Sequence, residues 1–245
     1  MMSDGPEKKI NRAIRLGVSG FLIVFFMFAV SACGRLAPVK PASPTIHEDI
    51  DRYCRNFFPE SPRQFVQSLT AYLPNDEISN AIGIINVYPE TGKIKCVIMG
   101  VEGVVIFSGE YDREPVIHKA VPPLDSMKFA GALFEDIRLA FLPPAGQVIQ
   151  TGTLSSGIPV RRYELNEDKG YVDLIFPEEG RLKIKKYSRR KKRLKTIDAC
   201  YAPRCEFLFP GKAGAGPVRL EIIHHGILGY RLELMLIRTE ALPAE

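Results

Sequence analysis

The feature that most constrains this fold is an alternation of apolar and polar residues with a period of two. Ile94, Cys96 and Ile98 alternate with Lys93 and Lys95, and Val172, Leu174 and Phe176 alternate with Tyr171 and Asp173. Val218, Leu220 and Ile222 alternate with Arg219 and Glu221, and Leu228, Tyr230, Leu232, Leu234 and Leu236 with Arg231 and Glu233. Successive strand side chains point to opposite faces, so each run has one side that must be buried and one that can meet water. About eleven such runs, separated by Gly, Pro or Asn, predict a large, strongly curved antiparallel sheet.

Two stretches switch to helical spacing. Ser61 and Pro62 read as N-cap and first turn of a helix over 62–73 with Phe65, Val66, Leu69, Tyr72 and Leu73 on one face, stopped by Pro74 and Asn75. A second helix follows Pro122-Pro123, capped by Asp125, with Ala130, Leu133, Phe134, Ile137 and Phe141 on its apolar stripe and Pro143-Pro144 as its stop. Helices with one apolar stripe must bury it on the sheet. The expected fold is therefore mainly β with two helices: an open, incomplete antiparallel β-barrel with a helical lid. Leu133, Phe134, Ile137 and Phe141 are the candidate lining of a cavity beneath the second helix.

The N-terminal 32 residues read as a leader. Lys8, Lys9, Arg12 and Arg15 precede the apolar run Leu16 to Val30, and small residues follow. Val30-Ser-Ala-Cys33 resembles the lipobox of bacterial lipoproteins, which makes Cys33 the expected lipidated first residue of the mature chain. The competing reading is an uncleaved anchor, but Leu16 to Ala32 only reaches the lower end of a bilayer span and contains Gly17, Ser19 and Gly20. Prolines at 38, 41 and 44 mark residues 33–44 as a lipidated, extended tether, leaving 45–245 as one domain. Gly34, not Asp, follows Cys33, in line with release to the outer membrane under the enterobacterial sorting pattern. The expected location is the cell envelope, lipid-anchored, on the outer membrane facing the periplasm.

Such a compartment permits disulfides. Cys200 and Cys205, four residues apart around Pro203, are the best local pair, and Cys54 with Cys96 is the weaker alternative. A zinc site lacks a second cysteine pair at ligand spacing.

Charge is unevenly spread. After the leader, 29 Lys and Arg face 26 Asp and Glu, a net charge of +3. Ten of the fifteen residues from Arg181 to Lys195 are basic and none is acidic, so the remaining mature chain has a net charge of −7. Leu182 and Ile184 alternate with Lys183 and Lys185, and Ser188 to Lys192 form a polar turn, which together read as a basic hairpin. Lys183, Lys185, Arg189, Arg190, Lys191 and Lys192 are candidates for contact with anionic headgroups, lipopolysaccharide phosphates or an acidic protein face. The competing reading is a solvated edge whose lysines prevent strand association. Nucleic acid would suit the charge but not the export signal, and only Tyr187 interleaves the basic residues.

Catalytic motifs are missing from the sequence: there is no Gly-x-Ser-x-Gly, His-Glu-x-x-His or Walker loop. Gly211 to Gly216 is glycine-rich but has no following helix and reads as a flexible turn. Adjacent His224 and His225 would point apart, and His118 reads as a strand histidine. Glu135 and Asp136 are neighbours on the second helix and read as its solvated face. The expectation is a non-enzymatic protein with no cofactor and no metal.

The order of elements, with Gly131-Ala-Leu-Phe-Glu-Asp-Ile-Arg-Leu-Ala-Phe-Leu-Pro143 and Leu228-Gly-Tyr-Arg-Leu-Glu-Leu234, resembles the LolA/LolB superfamily of bacterial lipoprotein-localisation factors over residues 60–240. More specifically, it is similar to an uncharacterised LolB-like family of outer-membrane lipoproteins found beside fatty-acid and aryl-polyene type biosynthesis genes. The resemblance implies an incomplete barrel whose helical lid covers an acyl-chain cavity. It departs at Tyr88-Pro-Glu-Thr-Gly-Lys93, a short polar turn where LolB carries a protruding apolar loop that delivers lipoproteins. The implied function is binding of acyl chains or a lipid-like or lipoprotein cargo in envelope transport, with the membrane reached through the N-terminal lipid. The alternative is a structural or assembly lipoprotein whose filled barrel docks an envelope protein partner. An empty apolar interior separates the first from the second.

Overall fold

In the computed structural model, residues 34–73, 77–166, 170–201, 216–226 and 229–243 are described. The chain divides into two units, Met1–Leu36 and Ala37–Glu245, and the architecture is that of the second. In chain order it runs β1 (Lys40–Pro41), α1 (Pro44–Phe57), β2 (Arg63–Tyr72), β3 (Ile78–Tyr88), β4 (Lys93–Gly100), β5 (Val105–Asp112) and β6 (Glu114–Ala120). Then come α2 (Met127–Phe141), β7 (Gly146–Thr153), β8 (Pro159–Leu165), β9 (Tyr171–Glu178), β10 (Arg181–Tyr187), β11 (Arg193–Cys200), β12 (Arg219–His224) and β13 (Arg231–Ala241). Among the described residues the strands form one sheet of thirteen, in the order β1-β7-β8-β9-β10-β11-β12-β13-β2-β3-β4-β5-β6. Neighbours pair antiparallel throughout, and the two ends of the sheet, β1 and β6, do not pair with each other. This is the open antiparallel barrel that the alternation predicts, with thirteen strands instead of about eleven.

Residues 63–72 are a strand, which corrects the first predicted helix. The helical spacing of Phe65, Val66, Leu69 and Tyr72 hid a period of two because one inward position is polar: Gln67 has 0% exposure, and neither amide atom has a hydrogen-bond partner. Pairing decided the outcome. β2 aligns with β3 from Arg63↔Val87 to Tyr72↔Ile78 and with β13 from Ala241 to Arg231, so its backbone groups are satisfied on both sides.

The helix that does occur near the start is α1. Pro44 at its first turn follows Ser43 as N-cap, and Ile46, Ile50, Tyr53, Cys54 and Phe57 recur at helical spacing on the side that packs into the core. That signal is legible in the sequence, but it straddles the expected boundary between tether and domain. Tyr53 and Phe57 both stack on Phe176 of β9, with ring centroids 5.8 Å apart. The proline-rich segment before α1 also joins the sheet, Lys40 and Pro41 pairing with β7.

The second predicted helix forms as α2, with one shift at its start: Ser126, not Asp125, is the N-cap, its Oγ accepting from the Phe129 N–H at 3.2 Å. α2 connects β6 at one end of the sheet to β7 beside the other end, so it spans the seam of the barrel. Its Phe134 meets the rings of Phe107 and Tyr111 on β5 at 6.3 and 6.0 Å, and Phe141 meets Phe65 on β2 at 4.7 Å. α1 and α2 thus fill the inner side of one curved sheet.

Candidate ligand site at the lid helix

The inner face of β10 begins with Leu182 and Ile184, both buried, and the same alternation puts Lys186 next on that face. Lys195 of β11 is its cross-strand partner. Two ammonium groups directly opposite each other, with side-chain exposures of 8% and 4%, would repel each other and lose hydration. α2 supplies the compensation. Glu135 bonds both Lys186 and Lys195, and Asp136 accepts from Lys195 and from the Tyr230 hydroxyl at 2.6 Å.

The two carboxylates are perturbed in opposite directions. Burial works against ionised Glu135, but Lys195 and Lys186 outweigh it and hold its pKa below the usual carboxylate range. Burial dominates at Asp136 and raises its pKa, with Lys195 and Tyr230 opposing. Tyr230 is pushed up by burial and by the adjacent Asp136.

These findings overturn the reading of Glu135 and Asp136 as a solvated face. Asp136 is 2% exposed and faces the sheet. The missed signal was available: continuing the inward phase of Leu182 and Ile184 by two residues puts a lysine inside, and a buried lysine requires an acid on whatever covers it.

The flanks of α2 border two spaces. On one lies an open cleft of about 410 Å³, lined by Tyr111, Glu135, Arg138, Leu139, Leu165 and Lys186 with Pro143-Pro144 at one side. Arg138 donates from Nη1 to the Tyr111 hydroxyl at 2.9 Å, and its guanidinium lies 5.1 Å from that ring centroid. On the other flank an apolar void of about 30 Å³ is lined by Leu133, Ile137 and Phe141 of α2 and by Leu69, Gly83 and Ile98 among the strand residues. Phe134 is fully buried against the β5 rings and does not line it. A void of this size matches one water molecule, not an acyl chain.

The basic hairpin exists, but its charges separate into classes. Arg189, Arg190, Lys191 and Lys192 are exposed at the turn between β10 and β11. Lys183 pairs across the strands with Asp198 at 2.9 Å. Lys185 is half-buried, and burial with neighbouring Arg193 and Lys183 lowers its pKa. His225 accepts or donates at Nε2 to Thr196 Oγ1 at 2.9 Å, His224 stacks on Tyr230, and His118 faces Glu110 at 3.9 Å across β5 and β6.

Cys200 is disulfide-bonded, while Cys54 and Cys96 are free thiols, so the weaker Cys54 to Cys96 pairing does not form. Burial raises the Cys96 pKa to about 12. Cys205, the lipidation candidate Cys33, Leu228 and residues 211–215 lie outside the described residues. Among the described residues, no group of three or more His, Cys, Asp or Glu side chains is placed to hold a metal ion, and no helix is long and apolar enough to cross a membrane.

An unclosed antiparallel barrel with a helix across its seam defines the class of fold. Among solved structures, it is similar to a LolA superfamily protein from Nitrosomonas europaea, with a TM-score of 0.52 at 10% identity over 83% of this chain and 95% of that one. A domain from Vibrio parahaemolyticus designated an outer membrane lipoprotein-sorting protein aligns with a TM-score of 0.48 at 13% identity, over 82% of this chain and 93% of that one. The first comparison establishes the LolA-like open barrel as the fold of this chain. No protein-family model and no curated protein matches the sequence.

Proposed function

We propose that this protein is a non-enzymatic, lipid-anchored envelope protein that binds acyl chains or a lipid-like or lipoprotein cargo, with α2 as a movable cover. The observation that supports this reading is that α2 lines both the 410 Å³ cleft and the small apolar void. Displacing α2 would join the two spaces and expose Leu133, Ile137 and Phe141 to an entering chain. Each methylene then removed from water contributes about 0.8 kcal/mol. Cys33, as the acylated mature N-terminus, would hold the protein at the outer membrane facing the periplasm, and a second signal would make that attachment stable. Arg189, Arg190, Lys191 and Lys192, with Lys183 and Lys185 behind them, form the surface suited to anionic headgroups.

The small size of the void under α2 favours a second reading, a structural lipoprotein that docks an envelope protein through the same hairpin. Native mass spectrometry of the full chain, with titration of a fluorescent fatty acid, decides between them. The carrier is expected to retain lipid and to bind the probe. A lipid-free protein that does not bind the probe would leave the docking reading. Neutralising Arg189 to Lys192 is expected to reduce salt-sensitive flotation with anionic vesicles without lowering thermal stability.

A further inference from the structure

We infer that Arg138 and Lys186 form an anion site in the cleft beside α2, and that it takes the carboxylate or phosphate head of an amphiphile whose apolar part lies on Leu139, Leu165 and Pro143-Pro144. This deepens the carrier reading by naming the chemistry of the head group and rests on that reading for the tail. Around this helix Lys186 and Lys195 meet the carboxylates of Glu135 and Asp136, and Arg138 lines the cleft beside them. Asp136 faces the sheet and is engaged by Lys195 and Tyr230, and Glu135 is shared by the two lysines. Arg138, by contrast, has the neutral Tyr111 hydroxyl as its described polar partner, so its charge faces no described carboxylate.

The geometry suits an incoming anion. Tyr111 holds the guanidinium by a hydrogen bond from one nitrogen and by its ring face, which orders the side chain and leaves further N–H groups for a planar acceptor. Lys186 enters the same cleft from the sheet side, bonded to Glu135. The cleft volume lies within the range of small-ligand sites, and its apolar side chains sit next to the cations instead of around them. A head on Arg138 would place the tail beside α2, where the proposed opening lies.

The test measures binding of a long-chain fatty acid, the fatty alcohol of the same length and acetate to the full chain, with and without Arg138→Gln. The acid is expected to bind at least about tenfold more tightly than the alcohol, the scale of one charge-assisted hydrogen bond. Arg138→Gln is expected to erase that preference, and Tyr111→Phe, which keeps the ring, to reduce it less. If Arg138→Gln unfolds the protein, the acid-to-alcohol ratio of the unmutated chain and its loss in Tyr111→Phe still decide. Equal binding of acid and alcohol overturns the anion site and spares the carrier reading. Acetate binding as tightly as the long-chain acid assigns the site to free anions and overturns the amphiphile. Binding of neither amphiphile overturns the carrier reading itself.

Discussion

The two arms of the sheet meet the same helix with opposite chemistry. The inner face of β3 to β5 offers α2 mainly apolar groups, including Ala81, Ile85, Ile94, Cys96, Ile98 and Phe107, with the Tyr111 hydroxyl as a polar contact to Arg138. β10 and β11 offer the paired lysines Lys186 and Lys195. α2 answers each in kind, with Phe134, Ile137 and Phe141 toward the first arm and with Glu135 and Asp136 toward the second. Apolar burial is non-directional and rewards any orientation that excludes water, whereas two carboxylates over two lysines specify one rotation of the helix. The apolar arm therefore accounts for most of the adhesion of the lid, and the ionic arm for its register.

The largest effect is expected in the apolar arm. Phe134→Ala removes a fully buried ring from between Phe107 and Tyr111 and is expected to cost about 3 to 5 kcal/mol in denaturant unfolding. A loss under about 1 kcal/mol would show that α2 is held mainly by its charges.

Next comes the ionic arm. Lys195→Met leaves buried Asp136 without its cation and is expected to cost about 3 kcal/mol, while Lys195→Met with Asp136→Leu recovers most of that loss. The recovery is the discriminating result, because an ion pair that sets register contributes little net stability. If the double variant is no better than the single, the pair is a source of stability and the comparison fails.

The smallest effect concerns pH. Glu135 titrates below the ordinary carboxylate range in the fold, so near and under about pH 4.3 the unfolded chain binds the additional proton. Its contribution is complete above that range and is lost as pH falls through the folded pKa. Asp136, with its pKa raised by burial, works in the reverse sense and offsets part of it. The stability gap between the unmutated protein and Glu135→Gln is therefore expected to shrink from pH 7 toward pH 3, followed by thermal unfolding. A gap of constant size would mean that the Glu135 charge does not hold the helix.

The contrast between the arms also marks what could be read without a structure. The apolar arm was legible because Ile94, Cys96 and Ile98 carry their direction in their own spacing, and α2 because its stripe repeats over four turns. The ionic arm was not, since Lys186 and Lys195 are embedded in a basic run whose composition suggests solvent. Their burial depends on a helix some fifty or more residues earlier in the chain.

The sequence by itself determined the periodicity of most strands, the amphipathic lid helix and its proline boundaries. These are local patterns, in which each residue needs only its near neighbours to declare a face. Tertiary structure decided that residues 63–72 extend between β3 and β13 despite helical spacing, that Gln67 is enclosed, and that Asp136 turns inward while Glu135 reaches the two buried lysines. It also decided how much space remains beneath α2. These outcomes depend on pairing and packing between segments far apart in the chain, where non-local hydrogen bonds and burial outweigh the weak preferences of the individual residues.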